Sequence, residues 1–352
     1  MSGATDDHSS AGAIDLRSDT VTRPTAAMLE AMRTAPLGDD SRDGDPTVVR
    51  LERLAAAMVG KEAALFVPSG TMGNLLAVLA HVRPGHDVLV DPLAHLATSE
   101  IAGLVGVAGV VPRSVASRAG CYDLAALAAA LATAPAGRVG AGLVWLETSH
   151  NGAGGRVVPV DHVGEVGAMA RRRGVPVHLD GARLFNAAVA LGVPAATIAA
   201  PVDSVMVCVS KGLSAPVGSL LAGSVAFVAR ARALRRMLGG AMRQAGVIAA
   251  AGLVALETMI DRLAQDHAVA RRLAAGLAGL EKTLVDPATV ETNMLRLDVS
   301  RTRHDAEAWA AALARHGILV QASGAAQLRL VTHRHIDPAA ADRVIAAFAA
   351  AA

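Results

Sequence analysis

Val207-Cys208-Val209-Ser210-Lys211-Gly212 ends an apolar run with a lysine in a glycine-flanked turn. Lysine is scarce in this chain: of 33 basic residues, only Lys61, Lys211 and Lys282 are not arginine. Arginine cannot replace lysine where an amine must lose its proton and attack a carbonyl. A second apolar run, Val175-Pro176-Val177-His178-Leu179, ends at Asp180. An aspartate and a lysine at the ends of successive strands of an α/β sheet fit pyridoxal phosphate. The lysine would form the Schiff base and the aspartate would keep the pyridine nitrogen protonated. The competing reading is an ordinary strand-end pair.

Working outward, strands and helices alternate around this pair. Strands are expected at Ala63–Val67, Asp87–Val90, Gly142–Leu146, Val175–Leu179 and Ser204–Val209. Two more, at Val217–Leu221 and Val225–Val228, read as an antiparallel addition. Helices are expected at Thr25–Arg33, Thr47–Met58, Thr71–Val82, Asp123–Ala134, His162–Arg173 and Ala229–Met237. Strands separated by helical stretches imply a three-layer, mainly parallel sheet covered by helices. After about residue 255 the pattern changes. A long helix, Met259–Leu280, leads to strands at Met294–Val299, Leu319–Gln321 and Gln327–Val331, with helices at Asp305–His316 and Pro338–Ala352. This predicts a disordered tail over 1–13, a large domain over 14–255 and a smaller C-terminal α+β domain over 256–352.

Composition excludes several classes. Charges are balanced, with 33 basic and 31 acidic residues and 2% aromatics, so a basic, base-stacking nucleic-acid surface is not expected. Cys121 and Cys208 lie far apart, which argues against a disulfide scaffold or a metal site. No basic segment followed by an apolar stretch opens the chain, and no apolar run reaches about 20 residues. Ala245–Leu256 comes nearest and reads as a buried helix. These features together predict a soluble, cytoplasmic protein.

Other residues carry chemistry with two readings each. Ser69-Gly70-Thr71 ends a strand and opens a helix, a place where free N–H groups and the helix dipole suit a phosphate; the same residues also make a plain helix cap. Arg183, three residues past Asp180, is either a bidentate clamp for a substrate carboxylate or an ion-pair partner of Asp180. Arg329, in Leu328-Arg329-Leu330-Val331, either reaches the cleft from the small domain or sits on an edge strand. His95, in the loop after Asp87–Val90, stacks on a cofactor ring and relays protons, or is structural. Arg235, Arg236 and Arg243 flank a glycine-rich run. They bring charge to a phosphate or surround a helix-breaking turn.

The chain resembles the low-specificity L-threonine aldolases, a branch of the aspartate-aminotransferase-like (fold type I) pyridoxal-phosphate enzymes. The resemblance is carried by Ile14-Asp15-Leu16-Arg17-Ser18-Asp19-Thr20, Val67-Pro68-Ser69-Gly70-Thr71-Met72-Gly73-Asn74, and His178-Leu179-Asp180-Gly181-Ala182-Arg183. Further segments are Ser210-Lys211-Gly212, Met242-Arg243-Gln244-Ala245-Gly246 and Leu328-Arg329-Leu330-Val331-Thr332-His333, in family order from about residue 14 onward. It implies Lys211 as the Schiff-base lysine, Asp180 as the pyridine partner, and Gly70 and Thr71 at the phosphate. Ser18, Arg183 and Arg329 would bind the amino acid carboxylate, and His95 would stack on the ring near the substrate hydroxyl. Arg236 and Arg243 would reach the phosphate from a neighbouring subunit, in a tetramer built from tight dimers.

The expected activity is cleavage of threonine, allo-threonine or related β-hydroxy-α-amino acids to glycine and an aldehyde. The alternatives are another reaction of the same cofactor, such as aldol transfer, β-elimination or racemisation, or a cofactor-binding protein without turnover. This sequence departs from the family around the substrate side chain. Arg42 replaces the usual tyrosine of the Gly38–Pro46 loop, and Ala97 and Ser99 replace aromatics after His95, while Glu100 remains. Gly137 or Arg138 stands where a second histidine is usual, and the segment after the next strand reads Glu147-Thr148-Ser149-His150-Asn151.

Overall fold

The computed structural model describes residues 12–351. The tail expected over residues 1–13 lies, up to residue 11, outside the described residues. The strands in chain order are β1 (Ile14–Asp15), β2 (Ala63–Val67), β3 (Asp87–Val90), β4 (Val111–Ser114), β5 (Ser117–Arg118), β6 (Cys121–Tyr122) and β7 (Ala141–Glu147). They continue with β8 (Val177–Gly181), β9 (Ser204–Cys208), β10 (Ser219–Gly223), β11 (Met294–Asp298), β12 (Ile318–Leu319), β13 (Gln321–Ala322) and β14 (Gln327–Val331).

Seven strands form one sheet in the order β2-β10-β9-β8-β7-β3-β4. β10 is antiparallel to both of its neighbours, and the remaining pairs are parallel. Helices cover both faces, so β8 and β9 are buried along their whole length. This burial explains why their sequences read as unbroken apolar runs. The fold is therefore the mainly parallel, helix-covered sheet expected, and a smaller antiparallel sheet, β11-β14-β13, follows it.

That smaller sheet and the helices Leu263–Leu280, Ala306–Arg315 and Pro338–Ala351 enclose a second apolar core around Leu273, Leu295, Trp309, Leu330 and Phe348. Ile14 and Leu16 also pack into it, and β1 pairs in parallel with β12. The start of the chain thus returns to the small sheet, which brings Ser18 and Asp19 between the two cores.

Three elements differ from expectation, the first being Leu319–Gln321, which is not one strand but two, β12 paired with β1 and β13 paired with β14. Val225–Val228 is not a strand but the opening of a helix, Val225–Met237. Ser224 caps it, its Oγ accepting from the Phe227 N–H at 3.2 Å, and Phe227, Val228, Ala231 and Arg235 turn inward. The long helix expected from Met259 starts at Leu263. A turn at Met259–Arg262 separates it from a buried helix, Gly246–Thr258.

The helix Gly70–His81 bears most directly on the site. Ser69 caps it, accepting from the Met72 N–H at 3.1 Å. Glycine lets its first turns lie on β9: a Cβ at Gly70 would stand 2.9 Å from Cys208 Sγ, and one at Gly73 would stand 2.8 Å from Met206 Cγ. Its free N–H groups therefore point along the carboxyl end of the sheet, where open α/β sheets bind ligands.

Candidate active site

The carboxyl ends of β3, β7, β8 and β9 open into a cavity of about 470 Å³. Its lining includes Ser18, Gly70, Thr71, His95, Asp180, Arg183, Lys211 and Arg329, so eight of the sequence-derived candidates meet in one place. Arg236 and Arg243 are exposed and outside it.

Asp180 ends β8 with its carboxylate buried. Oδ1 accepts from the Ala182 N–H at 3.0 Å and Oδ2 accepts from Asn74 Nδ2 at 2.9 Å. The same Asn74 amide donates to Glu100 at 3.2 Å, and Glu100 Oε1 faces His95 Nδ1 at 2.9 Å. Asn74 thus joins the carboxylate under the cavity to the carboxylate behind the histidine. Burial, with Glu147 and Glu100 nearby, pushes Asp180 up to about 6, while Lys211 pulls it down. The hydrogen bond from His95 Nδ1 to the Glu100 carboxylate raises His95 above its ordinary value, against its partial burial.

Lys211 follows β9 at the cavity wall. Its carbonyl accepts from Thr22 Oγ1 at 2.9 Å and from the Ser214 N–H at 2.8 Å, which fixes the turn. Among the described residues its amine has no hydrogen-bond partner.

Arg183 does not pair with Asp180. It makes a bidentate bond with Asp19, Nε to Oδ2 at 2.8 Å and Nη2 to Oδ1 at 2.6 Å. Burial opposes charge on Asp19, and Arg183 overcomes it, holding the carboxyl at about 2. Asn293 Nδ2 adds a bond to Asp19 at 3.3 Å. Arg183 is thus already paired, and Arg329 is the less satisfied guanidinium. It donates to Asn151 Oδ1 at 3.0 Å, Arg17 O at 3.0 Å and Gln321 Oε1 at 2.6 Å, while its buried Nε has no partner.

The positions of departure are also clear. Arg138 is remote from the cavity; it pairs with Asp87, at the opposite end of the sheet, through Nε at 2.9 Å. Arg42 points to solvent, with 79% of its side chain exposed, 3.8 Å from Asp39. Ser99 borders a second hollow of about 260 Å³, walled by Leu75, Val78, Leu96 and Leu104, which meets the first at Thr71 and Glu100.

Sequence reasoning assigned no role to Asp19, Asn74 or Glu147. Their signal was a polar residue on an otherwise apolar buried face, visible for Asn74 within Gly70–His81.

The cavity fits pyridoxal phosphate. Three carboxylates, Asp180, Glu147 and Glu100, are buried around its floor, and a protonated ring nitrogen is the cation that Asp180 lacks. The glycine-bearing opening of Gly70–His81 has the free N–H groups that would suit a phosphate, and Lys211 offers an unengaged amine.

Comparison with known proteins gives the same answer independently. Residues 15–300 match the family model of the beta-eliminating lyases. Low-specificity L-threonine aldolase 1 of Arabidopsis thaliana is 46% identical over 92% of both chains. The low specificity L-threonine aldolase of Escherichia coli K12 is 40% identical over 92% of this chain and 95% of that one. Among solved structures, a Leishmania major threonine aldolase superimposes with a TM-score of 0.81 at 20% identity, covering 96% of this chain and all of that one.

Proposed function

The chain belongs to the beta-eliminating lyase family and, within it, to the low-specificity L-threonine aldolases, and from that premise we propose how its residues share the work. It is a pyridoxal-phosphate-dependent carbon–carbon lyase that cleaves threonine and related β-hydroxy-α-amino acids to glycine and an aldehyde. Bound at Lys211, the cofactor supplies an electron sink for the pair left when Cα–Cβ breaks.

The protein supplies the rest. Lys211 holds the cofactor, and Asp180 keeps its ring nitrogen protonated. Gly70 and Thr71 receive the phosphate on free N–H groups. Ser18 and Arg329 would seat the substrate carboxylate and so fix the orientation of the Cα–Cβ bond to be broken. Arg183 backs them from its pair with Asp19. His95 takes the proton of the β-hydroxyl as the aldehyde leaves and the glycine carbon regains a proton. Its partly exposed ring, 37% accessible and held by Glu100, suits a group that must exchange protons near neutral pH. The observation that carries this reading is the chain Asp180–Asn74–Glu100–His95 facing Lys211 in one cavity.

Three coarser features complete the proposal. The chain divides near residue 255, supported by the two separate cores. It assembles as a homo-oligomer, in the limit a dimer of dimers, supported by exposed Arg236 and Arg243 lying outside their own cavity. It works in the cytoplasm; in keeping with this, among the described residues no helix is long and apolar enough to cross a membrane.

The test is direct. Purified protein with pyridoxal phosphate should convert L-threonine or L-allo-threonine to equimolar glycine and acetaldehyde, and Lys211→Ala should abolish it. Consumption of substrate without matching glycine would overturn the proposal.

A further inference from the structure

The segment that follows β7 does more than lead to the helix Val160–Arg171. Glu147, the last residue of β7, is buried and turns both carboxylate oxygens onto main-chain donors. Oε2 accepts from the His95 N–H at 2.6 Å, and Oε1 accepts from the Asn151 N–H at 2.7 Å. Both are short, charge-assisted bonds. Two further contacts tie the same loops. His150 Nε2 faces Asp91 Oδ2 at 3.3 Å, and a Cβ at Gly152 would stand 2.3 Å from Leu93 O. The loop that carries His95 is thus held in place by residues 147–152.

The far side of this segment is fastened to the small sheet. Asn151 Oδ1 accepts from Arg329 Nη1 at 3.0 Å, and Arg296 Nη1 donates to Gly152 O. Thr292 Oγ1 donates to Gly155 O at 2.7 Å, and Glu291 Oε2 accepts from the Val157 N–H at 2.6 Å. Residues 147–157 therefore form a strap with His95 at one end and Arg329 at the other.

We infer that Glu147 is a positioning residue that, through Asn151, couples the seating of the substrate carboxylate at Arg329 to the placement of the His95 imidazole. The inference rests on the reading of Arg329 as clamp and His95 as proton acceptor. A carboxylate arriving at Arg329 competes with Asn151 Oδ1 for the same guanidinium. Any adjustment of Asn151 reaches Glu147 through the Asn151 N–H, and Glu147 passes it to the backbone of His95. The imidazole thereby takes its working position only when an amino acid carboxylate is seated.

The charge of Glu147 gives the coupling a second signature. His95 is faced by Glu100, Glu147 and Asp180. Around Glu147 stand Asp180, its cross-strand neighbour on β8, with His150 and Arg183. Removing the charge of Glu147 removes one of the carboxylates that raise the affinity of His95 for a proton.

The experiment uses Glu147→Gln, which keeps shape and loses charge, and Asn151→Ala, which removes one of the three acceptors of Arg329 and keeps the Asn151 N–H bond to Glu147. His95 is followed by NMR of carbon-13-labelled histidine, assigned with His95→Asn. In cofactor-free protein, Glu147→Gln should move the His95 titration to lower pH and Asn151→Ala should leave it in place. In the holoenzyme, adding glycine should shift the His95 resonance in wild type, and both variants should lose that response. Turnover adds a third readout. Asn151→Ala, which relieves Arg329 of its competitor but cuts the link to His95, should lower kcat several-fold without raising KM, and Glu147→Gln should lower kcat by about 10- to 100-fold, as expected for a misplaced catalytic group. Should Glu147→Gln not fold, the glycine response of Asn151→Ala decides alone. A wild-type His95 indifferent to glycine, or variants that keep its response, would overturn the coupling. Wild type that binds glycine and shows the response but releases no aldehyde would instead overturn the aldolase reading.

Discussion

Asp180 carries its charge at a cost that a protonated ring nitrogen, in the role proposed for it, would offset. Its folded value, near 6, lies above the 3.8 of an unstrained aspartate. The stability it contributes is therefore complete below about pH 4 and lost as pH rises through 6, a difference on the order of 3 kcal/mol. Cofactor-free Asp180→Asn should be more stable than wild type at pH 8, with the advantage vanishing towards pH 4, as read by urea denaturation. Pyridoxal phosphate should stabilise wild type at pH 8 and the variant much less. A variant less stable than wild type at pH 8 would refute the strained carboxylate. Asp19 behaves in the opposite sense. Held at about 2, it contributes stability above pH 4 that is lost as pH falls towards 2, and Asp19→Ala should cost about 3 to 5 kcal/mol by leaving Arg183 buried and unpaired. The two residues also differ in how far the sequence exposes them. Lys211 and Asp180 stand out in the sequence because the chemistry proposed for them demands one residue type at a strand end, and the fold brings both to one cavity. Asp19 is not, because its partner is 164 positions away and a nearer aspartate, Asp180, offers itself.

The same contrast runs through the elements. β2, β3 and β14 have the bounds expected from sequence: β2 and β3 are short apolar runs stopped by a turn or a charge, and β14 alternates buried Leu328 and Leu330 with Gln327 and Arg329. Val225–Val228 misleads because four residues rich in valine are too few to reveal a helical period; the decisive signal is the cap at Ser224. The short helices His95–Thr98 and Ile101–Gly106 carry no periodic signal, so the loop bearing His95 is legible only in the fold. Where a helix is both long and glycine-bearing, its packing can be tested. Gly73→Ala gains helix propensity, about 1 kcal/mol. It also places a Cβ 2.8 Å from Met206 Cγ and 3.5 Å from Val67 Cγ2 in a filled layer, at a cost of about 1 to 3 kcal/mol. The second effect should win. The variant should unfold at lower urea and bind pyridoxal phosphate less tightly, because the helix end that receives the phosphate is displaced. Unchanged cofactor affinity with lowered stability would separate the helix position from the phosphate site.

At the scale of the whole molecule, the cavity in one chain is short of positive charge at its phosphate end. Pro68–Thr71 and Pro216–Gly218 line that end without a lysine or arginine. Arg183 is paired with Asp19, and Arg329 stands on the small-sheet side. Arg243 lies outside, 69% exposed, against Ser41 of the Gly38–Pro46 loop, and Arg236 is exposed nearby. Met237, beside Arg236, and Leu37, beside the Gly38–Pro46 loop, are large apolar side chains that are also exposed, which suits a surface covered by another copy. In an isologous dimer each arginine would complete the partner's site, and this can be tested by mixing dead chains. Lys211→Ala lacks the amine and Arg243→Ala lacks the phosphate cation. If Arg243 acts across the interface, a mixed dimer has one site with neither group and one site with both. Reassembly of equal amounts should then recover up to about a quarter of wild-type turnover, since half of randomly paired dimers are mixed and each has one intact site. If Arg243 acts within its own chain, every site in the mixture lacks one group and no turnover returns.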